Sequence, residues 1–158
     1  MSKSVQADES VKIIAVNKRA RFDYHIIETF EAGMVLTGAE IKSIRAGGVS
    51  IAESYVSPAR GEVFLLGANI TLYSHSGLKE YDPIRKRKLL LHAHEIAKLQ
   101  SKVGEKGYTI VPLKIYLKNG RAKIEIALAK GKDAPDKRQS IKAKEGKREI
   151  DRAMKKMK

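Results

Sequence analysis

The chain has 158 residues and no cysteine, which excludes a disulfide framework, a thiolate metal site and a cysteine nucleophile. Hydrophobic residues make up 42% of it, enough for one core, and with three Phe, six Tyr and no Trp that core is aliphatic. A net charge of +14 selects for a polyanionic partner over an acidic or apolar surface of its own kind.

The charge is clustered. Residues 118–158 carry 15 Lys/Arg against 6 Asp/Glu, which is +9 of the total. The economical division is a disordered N-terminus at 1–10, one folded domain at 11–130 and a basic tail at 131–158. Met1 to Val11 has no apolar segment of the secretory type, and no stretch approaches the ~20 apolar residues of a membrane span. A monomeric cytoplasmic protein without membrane contact is expected.

In chain order, Val11 to Val16 is a short apolar segment, interrupted by the cations of Asn17-Lys18-Arg19-Ala20-Arg21. Phe22, Tyr24 and Ile26 alternate as on a strand, and the slip at Ile27 predicts a bulge. Glu31-Ala32-Gly33 reads as a turn and Met34-Val35-Leu36 as the returning strand. Thr37-Gly38-Ala39-Glu40 has capping-box spacing and opens a short helix with Ile41 and Ile44 on its apolar side, ended by Gly47 or Gly48. Ser54-Tyr55-Val56 and Val63-Phe64-Leu65-Leu66 flank Ala59-Arg60-Gly61, a hairpin loop. Ala68 to Tyr73 continues as strand, and Ser74 to Arg87 is a loop that closes on Arg85-Lys86-Arg87-Lys88.

From His94 to Val103, the positions Ile96, Leu99 and Val103 give an amphipathic helix closed by Gly104. Val111, Leu113, Ile115 and Leu117 alternate on one strand, and Ala122, Ile124, Ile126 and Leu128 on the next. Asn119-Gly120 between them supplies the two positive φ angles of a type I′ turn, with Lys123 and Glu125 pointing outward. Several short strands with short flanking helices predict a mainly β fold, a small antiparallel barrel. In the tail, Ile150, Ala153, Met154 and Met157 share one side of a helical wheel and Lys144, Arg148, Arg152 and Lys155 the other. The like-charge pair Lys144/Arg148 at i,i+4 repels, so this helix should form when an anion neutralises it.

No catalytic constellation emerges. His92 and His94 supply two imidazoles, whereas a zinc site needs a third ligand and usually a fourth. No phosphate-binding glycine loop or nucleophile elbow is present, so no cofactor is expected. Three cationic patches remain on the domain: Lys18-Arg19 with Arg21 ahead of Tyr24, the Arg85, Arg87 and Lys88 stretch, and Lys123. Outward cations with an occasional tyrosine on a β platform suit phosphates and an unstacked base of RNA.

The matching stretches Asn17 to Tyr24, Glu31-Ala32-Gly33, Gly38 to Arg45, Asp82-Pro83 through Leu91, Gly107 to Leu113, Lys123 to Ile126, Ala129 to Lys132 and Asp136-Lys137-Arg138 resemble the bacterial SsrA-binding proteins (small protein B) from about Ile13 onward. The resemblance implies a barrel related to the oligonucleotide-binding fold and no enzymatic activity. It implies an adaptor that binds the tRNA-like domain of transfer-messenger RNA and brings it, with elongation factor Tu, to the A site of stalled ribosomes. There the tail would meet small-subunit ribosomal RNA at the decoding site and in the message channel. By the same resemblance Asn17, Lys18, Arg19, Tyr24, Glu31, Leu91 and Lys123 are the RNA-facing set, to which the patches add Arg21, Arg85, Arg87 and Lys88. The ribosome-facing set is Gly131, Lys132, Asp136, Lys137, Arg138 and the tail around Ile150 and Met154. Asp133, Pro135 and Leu72 depart from the family pattern, and Pro135 disfavours helix at Ala134. Two other readings compete. One is a structural ribosomal protein or general single-strand binder, which would lack RNA preference. The other is a metal-dependent nuclease using His92 and His94.

Overall fold

The computed structural model describes residues 10–71, 82–132 and 138. The expectations for the N-terminal residues before Ser10, for Leu72, Asp133, Pro135, Asp136 and Lys137, and for the tail around Ile150 and Met154 lie outside the described residues. Among the described residues nine strands and three helices follow in order: β1 Val11–Val16, α1 Ala20–Asp23, β2 Tyr24–Met34, α2 Gly38–Arg45, β3 Val49–Ser50, β4 Tyr55–Ala59, β5 Glu62–Leu66, β6 Asn69–Ile70, β7 Arg87–Leu90, α3 Ala93–Val103, β8 Tyr108–Lys118 and β9 Arg121–Gly131.

The main sheet is antiparallel with strand order β1-β8-β4-β5-β7-β2-β9, and β8 also pairs with β9. The pairing therefore closes on itself through β8, β4, β5, β7, β2 and β9. Along one edge of β8 the partners change: Lys114 to Lys118 pair with β1, and Ile110 pairs with Val56 of β4. A closed circuit covers the free edges that a flat sheet would expose. Inside it lies an aliphatic core that includes Ile44, Ile51, Leu65, Leu89, Leu99, Ile110, Ile115, Ile124, Ile126 and Leu128, all at most 1% exposed.

The local signals operate as the sequence predicts in several places. Thr37 Oγ accepts from the Glu40 amide at 3.2 Å, and a Glu40 carboxylate oxygen accepts from the Thr37 amide at 2.9 Å. Asn119 (φ 52°) and Gly120 (φ 80°) form the turn between β8 and β9, and Arg60 (φ 51°) and Gly61 (φ 80°) form that between β4 and β5. The bulge expected at Ile27 is present between Ile26 and Glu28.

Four expectations are corrected. Phe22 belongs to α1, not to a strand, because Ala20 is tucked beneath β8 and β9 and the chain turns once to place it there. Glu31-Ala32-Gly33 is not a turn, since β2 continues through it to Met34. Gly33 serves close approach instead: a Cβ there would meet Leu90 Cβ at 3.3 Å. The strand expected over Ala68 to Tyr73 reduces to the two residues of β6 among the described ones. Finally, the alternation of β8 breaks at a register shift between Pro112 and Lys114. Ile115 and Leu117 thus face the main core, whereas Val111 and Leu113 join Ala20, Ala127 and Ala129 in a second apolar cluster.

Candidate nucleic-acid interface

β2, β9 and β8 form a layer whose inner face is main core and whose outer face carries Tyr24, Glu31 and Lys123 of the expected site. Phe30 and Ala32 of β2 and Ile124, Ile126 and Leu128 of β9 point inward. Alternation then sends Glu31, Gly33, Lys123 and Glu125 outward. On that face the cross-strand pairs run Tyr24 with Gly131, Ile26 with Ala129, Thr29 with Ala127, Glu31 with Glu125, and Gly33 with Lys123. The second apolar cluster, with Tyr24 and Ile26 packed on it, occupies the first part of this ladder. Glu31 lies seven positions along β2 from Tyr24, about 24 Å at roughly 3.4 Å per residue.

At the Tyr24 end, exposed Lys18 and Arg19 lead into α1, which displays exposed Arg21. Asn17 is held at the corner: its backbone N–H donates to Leu113 O at 2.8 Å and its side-chain amide to Pro112 O at 3.0 Å. Arg19 Nε lies 3.4 Å from Asp23 Oδ2, an exposed pair of small worth, and its guanidinium sits 5.6 Å from the Phe22 ring. Lys132 leaves the sheet against α1, with its N–H donating to Asp23 O and its Nζ to Arg21 O, both at 2.9 Å. The root of the tail, Gly131 and Lys132, therefore adjoins the Lys18-Arg19-Arg21 group. Arg138 is exposed.

At the other end, Glu31 is surrounded by donors. One carboxylate oxygen accepts from the Tyr116 hydroxyl, and the other lies 3.5 Å from Lys118 Nζ. The Tyr116 bond, together with the charges of Lys118 and Lys123, outweighs partial burial and holds the Glu31 carboxyl below its usual range. Burial and the same carboxylate push the Tyr116 hydroxyl well up, so it stays a donor. Leu91, at the end of β7, shares a cavity of about 320 Å³ with Glu31, Lys123, Leu90, His92 and Glu95. Lys123 also borders two adjoining concavities, one with Lys118, Asn119 and Arg121, the other with Arg45 and Leu36. Three residues far apart in sequence, Glu31, Leu91 and Lys123, are thus brought to one place.

The stretch from Arg85 to Lys88 is different, and part of it is corrected. Arg87 has no exposed surface and cannot reach an RNA phosphate. Its guanidinium meets Glu40 Oε2 at 2.7 Å and donates to the carbonyls of Ala68, Arg85 and Pro83 at 2.9, 3.1 and 3.0 Å. Arg85, partly exposed, also donates its Nε to Glu40 Oε2 at 3.0 Å. Burial pushes the Glu40 carboxyl up, but Arg85, the Thr37 amide and Arg87 together hold it below the usual range. Lys88 is exposed, 3.4 Å from Glu62, and does not line the Glu31 cavity although Leu90 of the same strand does. Among the described residues no three His, Cys, Asp or Glu side chains gather to hold a metal. The His92 and His94 rings stack, with centroids 5.6 Å apart and planes within 7°.

Sequence reasoning missed Tyr116, Lys118 and Arg121. A signal for them existed. With Asn119-Gly120 as a two-residue turn, Lys118 must pair with Arg121 and Tyr116 with Lys123, as found.

Fold and site together define a basic β-domain whose outer sheet face, cationic at both ends and bearing Tyr24, is built to meet a polyanion. The chain belongs to the SmpB protein family, whose model it matches over residues 14–156. It is 54% identical over 142 residues to an SsrA-binding protein of Geobacillus thermodenitrificans, covering 90% of this chain and 92% of that one. It is 52% identical to an SsrA-binding protein of Persephonella marina, covering 92% and 95%. A chain in a solved structure described as "tmRNA-SmpB: a journey to the center of the bacterial ribosome" matches with a TM-score of 0.64 and 46% identity, covering 80% of this chain and 92% of that chain. Among the described residues no helix is long and apolar enough to cross a membrane.

Proposed function

We propose that this protein is a non-enzymatic RNA-binding adaptor of ribosome rescue. It binds the tRNA-like domain of transfer-messenger RNA and, together with elongation factor Tu, delivers it to the A site of a stalled ribosome. Family membership supports this reading, and one observation carries it. Glu31 and Leu91, expected at the RNA from resemblance, and Lys123, expected also as an outward cation of the last hairpin, converge on one open cavity at the end of a cationic sheet face. Tyr24 lies about 24 Å away along β2, with Lys18, Arg19 and Arg21 just before it in the chain, a span that suits several nucleotides of a folded RNA.

The domain of residues 11–130 then supplies RNA recognition and the tail of residues 131–158 ribosome recognition. Gly131, Lys132, Asp136, Lys137 and Arg138 form the approach to the decoding site. The segment with Ile150 and Met154 enters the message channel and becomes helical against ribosomal RNA. Because the tail is rooted beside α1, bound RNA and ribosome are met from adjoining surfaces.

The test is binding to the tRNA-like domain against an unrelated structured RNA of equal length, both at moderately high salt. Contacts to ~6–10 phosphates lose about 10³–10⁵ in affinity between 50 and 200 mM salt on the duplex-DNA scale, whatever the sequence. A preference that survives at the higher salt supports the adaptor. Equal, salt-labile binding of both RNAs contradicts it and favours a general basic binder.

A further inference from the structure

We infer that the cavity between Glu31, Lys123, Leu91 and His92 is a pocket for one unpaired guanine base. The inference deepens the adaptor reading and rests on it.

The wall chemistry is asymmetric. Leu90 and Leu91 supply apolar surface, with Leu90 52% exposed despite its size. His92 is exposed and already stacked on His94, so a base laid against it extends a column of parallel rings. The polar side sets the Glu31 carboxylate beside the Lys123 ammonium, while Glu95, the other carboxylate in the lining, is engaged by the His92 amide at 3.0 Å. The Glu31 side chain is 41% exposed and thus open to a ligand. An ionised carboxylate accepts at about four lone-pair sites and donates at none. Tyr116 and Lys118 engage one site on each oxygen, which leaves one on each.

Two parallel acceptors require two neighbouring donors. On the Watson–Crick edge only guanine presents them, as N1–H beside the N2 amino group. Adenine and cytosine set an acceptor nitrogen next to their amino group, and uracil flanks its single N3–H with two carbonyls. A carboxylate facing any of these three meets an acceptor at its second oxygen, a repulsive contact. Guanine's remaining edge carries O6 and N7, acceptors that a lysine ammonium satisfies. Lys123 is placed for that role, since it borders the same cavity as Glu31. A volume of about 320 Å³ lies in the range of small-ligand pockets and admits one base rather than a stacked helix. Tyr116 is a positioning residue: its hydroxyl fixes one Glu31 oxygen and so aims the pair.

The experiment uses the full chain with guanosine, adenosine, cytidine and uridine monophosphates as probes, followed by NMR at the Leu91 methyls and the His92 ring. Guanosine monophosphate should perturb both and bind at least about 5-fold more tightly than the others. Glu31→Gln should abolish that preference, because an amide presents one donor and one acceptor. Tyr116→Phe should lower the guanine-to-adenine ratio while leaving the fold's melting temperature within a few degrees. Equal binding of all four nucleotides, or shifts at neither residue, overturns the pocket. The tRNA-like domain is titrated in parallel: if it still binds with preference, the pocket alone fails, and if that preference is absent too, the adaptor reading fails with it.

Discussion

Two regions of this molecule place a carboxylate among cations, and they do opposite work. Glu40 sits between Arg85 and Arg87 with 1% exposure, both oxygens met by donors from Thr37, the cap of α2, and from Arg85 and Arg87. Glu31 sits among Tyr116, Lys118 and Lys123 with its side chain 41% exposed, on the rim of an open cavity. The first cluster is closed, with Glu40 and Arg87 both buried and hydrogen-bonded within the protein, so it can only hold parts of the fold together. The second keeps acceptor and donor capacity for a partner. Burial, not charge, separates a structural ion cluster from a recognition site.

The largest expected effect breaks the comparison from the structural side. Glu40→Ala leaves Arg87 buried and unpaired, and should cost about 3–5 kcal/mol of stability in denaturant unfolding. Glu31→Ala, by contrast, should cost only about 1–2 kcal/mol, because Lys118 and Lys123 stay hydrated and only the Tyr116 hydroxyl loses its partner. Similar losses in the two variants would erase the distinction.

A second substitution joins the two regions. Gly33→Ala puts a methyl 3.3 Å from Leu90 Cβ, between β2 and β7, at the edge of the cavity. Overpacking should cost about 1–3 kcal/mol. Because Leu90 must shift, affinity for RNA should fall with it, measured by unfolding and titration of the same preparation.

Much of the fold was legible because its signals are local. The Thr37/Glu40 capping box, the Asn119-Gly120 turn and the Arg60-Gly61 loop each involve residues within four positions. What escaped was set at a distance. Arg87 reads as one of four surface cations until Glu40, 47 residues earlier, is seen to neutralise it inside the core. Gly33 reads as a turn, yet it is a strand residue made small by Leu90 on a neighbouring strand. Half of β8 changes face because a bulge at Pro112 to Lys114 lets Val111 and Leu113 cover α1. For the site, Glu31 and Leu91 came from resemblance, Lys123 was also legible as an outward cation of the last hairpin, and Tyr116 was within reach of the hairpin register alone.

Acid sharpens the comparison further. Glu40 has its carboxyl held below the ordinary value of 4.5, so its contribution is fully present above that value and is lost as pH falls through its lower folded value. Melting temperature should therefore drop below about pH 4.5, and Glu40→Gln should flatten that part of the profile. A profile in the variant as steep as in the parent would point to other carboxylates.

Smaller still is the cap. Thr37→Ala removes the acceptor for the Glu40 amide and should cost about 1 kcal/mol in unfolding. Least of all, Lys88→Ala breaks an exposed pair with Glu62 and should change stability by about 0–1 kcal/mol.

The most direct test of the central claim is the affinity of Lys123→Ala for the tRNA-like domain at one moderately high salt concentration, with its melting temperature taken alongside. Loss of a charge-assisted contact of about 1.5–3 kcal/mol predicts roughly 10-fold or weaker binding at an unchanged melting temperature. Parental affinity at that salt would contradict the account, since the exposed cluster would then hold charge without using it.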